Sequence, residues 1–242
     1  MKNVILTGAT RGLGLAIALR LKNEGYNVIA TGRKMTDELS SLIECDASHG
    51  KVSFYEFDFT ALDDIRGFAK NIIKDHGRPY GLINNAALGH DGVLGTMHES
   101  QILELINVNV AAPILLTKYV SRSMLIEGVG RIVNISSIIG STGFNGLSVY
   151  GATKASLTGF TKSLSRELGK GGITVNTVAP GYMSTAMTEG LGGEKLESIK
   201  RRSPMGKLAT VDEVAGSIAF LLSSDASAVT GTCITVDAGS TA

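Results

Sequence analysis

With 242 residues, 43% of them hydrophobic, the chain is long enough to bury one sizeable core. Its 23 basic and 22 acidic residues leave a formal net charge of +1 with no basic stripe, polybasic tail or charge block, which argues against nucleic acid and membrane surfaces as partners. No apolar run approaches the ~18 residues of a membrane span, and Met1-Lys2-Asn3 runs straight into a strand-like segment, leaving no room for a signal peptide.

Cys45 and Cys233 match no metal or redox spacing, and His49, His76, His90 and His98 do not cluster with them. The expectation is a cytoplasmic protein with two isolated thiols and no metal site. Glycine stands out at 30 residues, well above the usual ~7%.

In chain order, residues 3–7 read as a strand, followed by a glycine loop and a helix ending near Gly25. A second strand covers 27–31, a helix 36–44, a third strand 52–57 ending in Asp58, and a helix about 61–75. Residues 81–85 form the fourth strand, 99–125 a long helix and 131–136 the fifth strand. A helix over 148–169, a strand over 173–178, an irregular stretch over 180–204, a helix over 211–222 and a strand over 232–236 complete the chain. Such alternation predicts one α/β domain: a doubly wound, seven-stranded, mostly parallel sheet with helices on both faces, and a small substrate lid at about 183–205.

The first strand leads into Gly8, Gly12 and Gly14 and then into a helix, the right context for a dinucleotide pyrophosphate. Glycines let the backbone approach, and a helix N-terminus offers free N–H groups and a favourable dipole. A turn-rich strand-to-helix connection would look similar. At the end of the second strand stands Gly32 instead of an acid, with Arg33 beside it and Arg11 in the glycine loop. Two guanidinium groups and no carboxylate suit a 2′-phosphate, hence NADP; solvated loop charges are the other reading. Asp58 is placed either to accept from an adenine amino group or to cap Thr60.

Residues 136–154 hold the reactive chemistry. Tyr150 and Lys154 are four apart and share a helix face, and Ser137 lies upstream at a strand end. Ser136 falls on the opposite face of any extended strand, so Ser137 is the expected partner of the phenol.

On these residues the chain resembles the short-chain dehydrogenase/reductase family over essentially its whole length. Thr7-Gly8-x-x-x-Gly12-x-Gly14 is similar to the family's cofactor loop, and Asn84-Asn85-Ala86 to its N-N-A-G segment, with Ala87 in place of the glycine. Ser137 and Tyr150-x-x-x-Lys154 resemble its catalytic set; Asn109, with Asn107 as a rival, resembles the asparagine that completes a tetrad. The resemblance implies a Rossmann-type fold, NADPH as hydride donor and a homotetramer. Cofactor contacts are implied at Gly8, Thr10, Arg11, Gly12, Leu13, Gly14, Arg33, Asp58, Phe59, Asn85, Ala86, Tyr150, Lys154, Pro180, Gly181, Met183 and Thr185. Tyr150 would be the proton donor, with Lys154 favouring its phenolate, Ser137 holding the carbonyl oxygen, and Asn109 positioning a water between Lys154 and solvent.

Within the family, Gly130-Arg131-Ile132-Val133-Asn134-Ile135-Ser136-Ser137 and Gly172-Ile173-Thr174-Val175-Asn176 look most like the reductases of 3-oxoacyl groups carried on acyl carrier protein. That implies an acyl-thioester substrate. Members acting on carrier protein tend to carry basic residues before these segments, where this chain has Glu127-Gly128-Val129 and Lys170-Gly171. A small-molecule or specialised-pathway ketoreductase therefore stands as the alternative, and a non-catalytic NADP-binding module as a third. The segments 93–97 and 183–205, with Met183, Met187 and Leu191, are the expected walls of an apolar substrate site.

Overall fold

The computed structural model describes residues 1–45, 49–183 and 193–242. Among them, seven strands form one sheet in the order β3-β2-β1-β4-β5-β6-β7: β1 Asn3–Thr7, β2 Asn27–Gly32, β3 Val52–Glu56, β4 Gly81–Asn84, β5 Gly130–Ile135, β6 Ile173–Pro180 and β7 Cys233–Val236. Every strand pair is parallel, so the predicted "mostly parallel" sheet is parallel throughout.

The helices are α1 Gly12–Asn23, α2 Asp37–Glu44, α3 Ile65–His76, α4 Glu99–Ile106, α5 Ala112–Glu127, α6 Ile139–Thr142, α7 Ser148–Leu168, α8 Gly193–Arg202 and α9 Val211–Leu222. Successive strand residues serve opposite faces. Val4 and Leu6 pack with Ile17 of α1 and Val214 and Ile218 of α9. Ile5 packs with Phe68 of α3, Leu116 and Val120 of α5, and Leu164 of α7. Burying each such side chain stabilises the fold by roughly 1.5–3 kcal/mol, which is why the strands read as continuous apolar runs.

Strand order reverses between β1 and β4, which opens a crevice at the carboxyl ends of the strands. The C-terminal ends of β1, β4, β5 and β6 all abut it, and these ends carry the predicted site.

Three elements depart from the sequence reading. The long helix is broken by a π-helical segment, Asn107–Ala111, between α4 and α5. Pro113 follows in the first turn of α5, where it has no N–H to donate to the carbonyls of that segment. Second, α8 lies inside the stretch expected to be irregular; glycines at its start concealed a charged helix carrying a Glu197–Lys200 pair at 2.6 Å. Third, the span Glu99–Glu127 is long and apolar enough by length and composition to cross a membrane, contrary to the expectation from uninterrupted runs. Leu105, Val108, Leu116, Val120 and Met124 of that span are buried in the fold.

Candidate active site

At the nucleotide end, backbone does most of the work. A Cβ at Gly14 would lie 1.9 Å from the Gly8 carbonyl oxygen, so only glycine lets α1 start this close to the end of β1. Arg11, the residue before α1, makes no side-chain cap, and the first turn carries no acid. Those N–H groups are left for an anion, and the arrangement fits a pyrophosphate. Arg11 and Arg33 are both exposed at this end.

The loop is braced from beneath by the N-N-A segment. Asn85 donates from Nδ2 to the Thr7 and Gly8 carbonyls at 2.9 Å each. Thr7 Oγ1 in turn accepts from the Asn85 and Ala86 amides at 2.9 Å. Asn85 thus acts on the cofactor loop through its shape. Asp58 caps Thr60: its Oδ1 accepts from Thr60 N at 3.0 Å and Thr60 Oγ1 at 2.9 Å. The Phe59 ring is buried against Phe57 and Phe68, with centroids 5.0 and 5.8 Å away, and Leu13 and Met183 pack on the core of the other face.

At the opposite end of the crevice, β5 grips α7 through three consecutive residues. The Lys154 ammonium donates to the Ile135 carbonyl at 2.9 Å. Ser136 Oγ donates to the Lys154 carbonyl at 2.7 Å. The Ser137 side chain hydrogen-bonds the Tyr150 phenol. Ser137 Oγ also accepts from the Ile139 amide at 3.2 Å, which fixes its orientation. Between strand and helix lies α6, pressed so closely on α7 that a Cβ at Gly140 would stand 2.9 Å from Ala155 N. Ser137, Tyr150 and Lys154 are therefore brought together as predicted. The sequence reading set Ser136 aside and missed its part in the grip; its signal was a second hydroxyl at the end of a buried strand.

Burial controls the charges. Desolvation pushes the Tyr150 phenol up to about 12, with the Ser137 hydrogen bond pulling the other way. Desolvation also pulls Lys154, only 3% exposed, down to about 8. The expected lowering of the phenol by Lys154 does not appear among these causes. The ammonium is turned onto the Ile135 carbonyl and stands 5.7 Å from the Tyr150 ring centroid.

Asn109 is buried in the π-helical segment, while its rival Asn107 is exposed. Its Oδ1 accepts from the Leu88 amide at 2.8 Å, and its Nδ2 donates to the Leu88 carbonyl at 2.9 Å and to Thr153 Oγ1 at 3.2 Å. Thr153 Oγ1 bonds on to the Tyr150 carbonyl at 2.7 Å. The Asn109 side chain braces the loop after β4 against α7.

Pro180 and Gly181 close β6 at the crevice: the Pro180 carbonyl accepts from Ile138 N at 3.1 Å, and Gly181 N donates to Val236 O at 2.9 Å. Phe144 and Tyr182 meet edge to face at 6.0 Å. Of the expected walls, Leu94 lines an apolar groove between α4 and α7 with Ile106, Val110, Val149 and Ala152. Thr185, Met187 and Leu191 lie outside the described residues.

A family model described as enoyl-(acyl carrier protein) reductase matches residues 8–241. The chain belongs to the short-chain dehydrogenase/reductase family of NAD(P)-dependent oxidoreductases. It is 38% identical over 240 residues to the 3-oxoacyl-acyl-carrier-protein reductase FabG of Haemophilus influenzae, covering 98% of this chain and 97% of that protein. The same enzyme of Thermotoga maritima is 38% identical over 239 residues, with 98% and 97% covered. Among solved structures, one described as an NAD(P)-dependent gluconate 5-dehydrogenase from Beutenbergia cavernae, with NADP bound at low occupancy, has a TM-score of 0.93. It is 31% identical and covers 98% of this chain and 96% of that one.

Proposed function

We propose that the chain is an NADPH-dependent reductase of 3-oxoacyl thioesters carried on acyl carrier protein, forming the 3-hydroxyacyl thioester. The observation that carries this reading is the three-point grip of β5 on α7, which sets a hydroxyl, a phenol and a buried ammonium around one crevice. It is supported by the relatives that bear this name across nearly the whole chain.

NADPH, when bound, supplies the hydride that goes to the carbonyl carbon; the chain places the carbonyl and supplies the proton. Tyr150 gives its proton to the carbonyl oxygen, on which Ser137 also donates a hydrogen bond as negative charge develops. A phenol held at about 12 stays protonated across neutral pH, so the acid form needed for reduction is the resting form. Lys154, at about 8, keeps its proton near neutrality, with its ammonium held by the Ile135 carbonyl 5.7 Å from the Tyr150 ring centroid. Ser136 holds the Lys154 backbone, and Asn109 through Thr153 holds that of Tyr150, so all three act by position.

NADP is favoured over NAD because Gly32 ends β2 beside two exposed guanidinium groups, Arg33 and Arg11. Arg33→Ala is expected to weaken NADPH far more than NADH; equal weakening would mean that Arg33 does not touch the 2′-phosphate. For assembly, we place the contacts of a homotetramer on the apolar groove between α4 and α7, where Leu94 and Ile106 are exposed.

A second reading, a ketoreductase of small molecules, is favoured by one observation. Glu127 stands where carrier-protein enzymes tend to be basic, and it is ion-paired with Arg78. The test is NADPH consumption with acetoacetyl groups on acyl carrier protein, on coenzyme A and on N-acetylcysteamine. Preference for the carrier protein supports the first reading, and indifference to the carrier supports the second. No turnover with any of the three overturns both.

A further inference from the structure

At the amino ends of the strands, on the far side of the sheet from the crevice, the starts of β1, β4 and β5 lie side by side. Tyr80 N donates to the Asn3 carbonyl at 2.8 Å, and Arg131 N donates to the Tyr80 carbonyl at 2.9 Å. The Tyr80 ring is buried and held in place, because its hydroxyl donates to the Leu222 carbonyl at 2.8 Å. Two cations share this ring: Lys2 Nζ stands 4.0 Å from its centroid and Arg131 Cζ 5.6 Å. An aromatic face attracts each of them, which holds two like charges at one spot.

Arg131 is only 7% exposed, and it makes no ion pair among the described residues. Its Nη1 donates to the adjacent Gly130 carbonyl at 2.9 Å, and its Nε is buried without a hydrogen-bond partner among the described residues. A buried charge without a counter-charge is costly, and a bound anion would offset that cost. Arg131 and Lys2 line a cavity of about 450 Å³ to which Ser224 and Ser227 add hydroxyl groups. Glu127 is the one carboxylate in its described lining, and it is already paired with Arg78 at 2.5 Å. The lining therefore holds two cations with no acid left to neutralise them.

We infer that this cavity is a binding site for a phosphate monoester of a small organic molecule, separate from the cofactor crevice. Such a group carries a charge of about −1.5 to −2 at neutral pH, which matches Lys2 and Arg131 together, whereas a carboxylate matches only one of them. A guanidinium presents paired donors that suit phosphate oxygens. The volume falls in the range of about 300–1,000 Å³ typical of small-ligand pockets, so there is room for an organic remainder beside the phosphate. Arg131 lies near the start of β5 and Ile135, whose carbonyl holds Lys154, at its end, so one strand links this cavity to the reaction centre.

The test is a ligand-observed NMR titration of phenyl phosphate into protein saturated with NADP, so that the nucleotide crevice is already filled. Saturable binding is expected, about tenfold tighter than that of benzoate, which has the same ring and a smaller charge. Inorganic phosphate, titrated in the same way, should bind more weakly than phenyl phosphate; equal affinity would make the free ion the ligand and overturn the organic part of the inference. Arg131→Met should weaken phenyl phosphate by about tenfold or more. Lys2→Met changes an exposed residue, should fold as wild type does, and should weaken binding by about threefold; it decides the matter if Arg131→Met does not fold. Absence of saturable binding to the NADP-filled wild type, benzoate binding as tightly as phenyl phosphate, or an affinity unmoved in Lys2→Met and in folded Arg131→Met overturns the inference while leaving carbonyl reduction untouched.

Discussion

The two ends of the crevice are built from different materials. At the β1–α1 turn, glycine and bare helix N–H groups present backbone to the cofactor, and side chains such as Asn85 and Thr7 only hold that backbone in shape. At the β5–α7 junction the reverse holds. Close backbone packing at Gly140 lets Ser137, Tyr150 and Lys154 converge, and the chemistry resides in side chains whose charges are shifted by burial. One end is a shape that tolerates no added atom. The other is a set of titrating groups that tolerates no loss of a hydroxyl.

That contrast predicts different kinds of failure. The largest effect is expected from Gly14→Ala, which drives a methyl to 1.9 Å from the Gly8 carbonyl. The turn must open, so NADPH binding should be lost and stability should fall by about 3 kcal/mol or more. Calorimetric titration and denaturant unfolding check it; retained binding would show that α1 can shift. At the other end, Ser137→Ala should fold normally and bind NADPH, yet lower kcat by roughly 10²–10³. A smaller fall, about tenfold in kcat with KM little changed, is expected for Ser136→Ala, which frees the Lys154 carbonyl without touching a reacting atom. If Ser136→Ala proves as damaging as Ser137→Ala, the division into reacting and positioning hydroxyls fails.

Much of this was legible in the sequence, for physical reasons. Apolar runs buried on both faces gave away β1, β2, β4, β5 and β6, while the edge strands β3 and β7 are only partly buried; a glycine pattern shows itself because no other residue fits. Tyr150 and Lys154 were visible because helical spacing alone places them on one face. What stayed hidden depends on partners distant in the chain. That Asn109 would bond Leu88 and Thr153, or that Ser136 would reach the Lys154 carbonyl, follows only once β4, β5 and α7 are packed. The sign of the shift on Tyr150 was hidden too. Spacing shows that a lysine is near, but not that its ammonium turns onto Ile135 while the phenol is desolvated. Helix α8 was missed because glycine-rich surroundings read as loop.

The smallest effect concerns the buried lysine and pH. Its ordinary value of 10.5 falls to about 8 in the folded chain. Between those values the unfolded chain binds more protons than the folded one, so stability contributed at this site rises with pH across that window. Below about pH 8 the folded protein bears the full cost of a buried ammonium. Lys154→Met should therefore remove the rise: wild type gains on the variant from pH 8 towards 10.5, by on the order of 1 kcal/mol or more. Parallel stability curves for the two proteins would place the lysine in a wetter site than the structure shows.

The most direct test of the central claim, that Tyr150 is the proton donor of a carbonyl reduction, is turnover of acetoacetyl-N-acetylcysteamine by Tyr150→Phe, with NADPH affinity measured on the same sample. The expected result is a loss of at least about 10³ in kcat with the NADPH dissociation constant unchanged within about twofold. Turnover comparable to wild type in a variant that binds NADPH normally would contradict it.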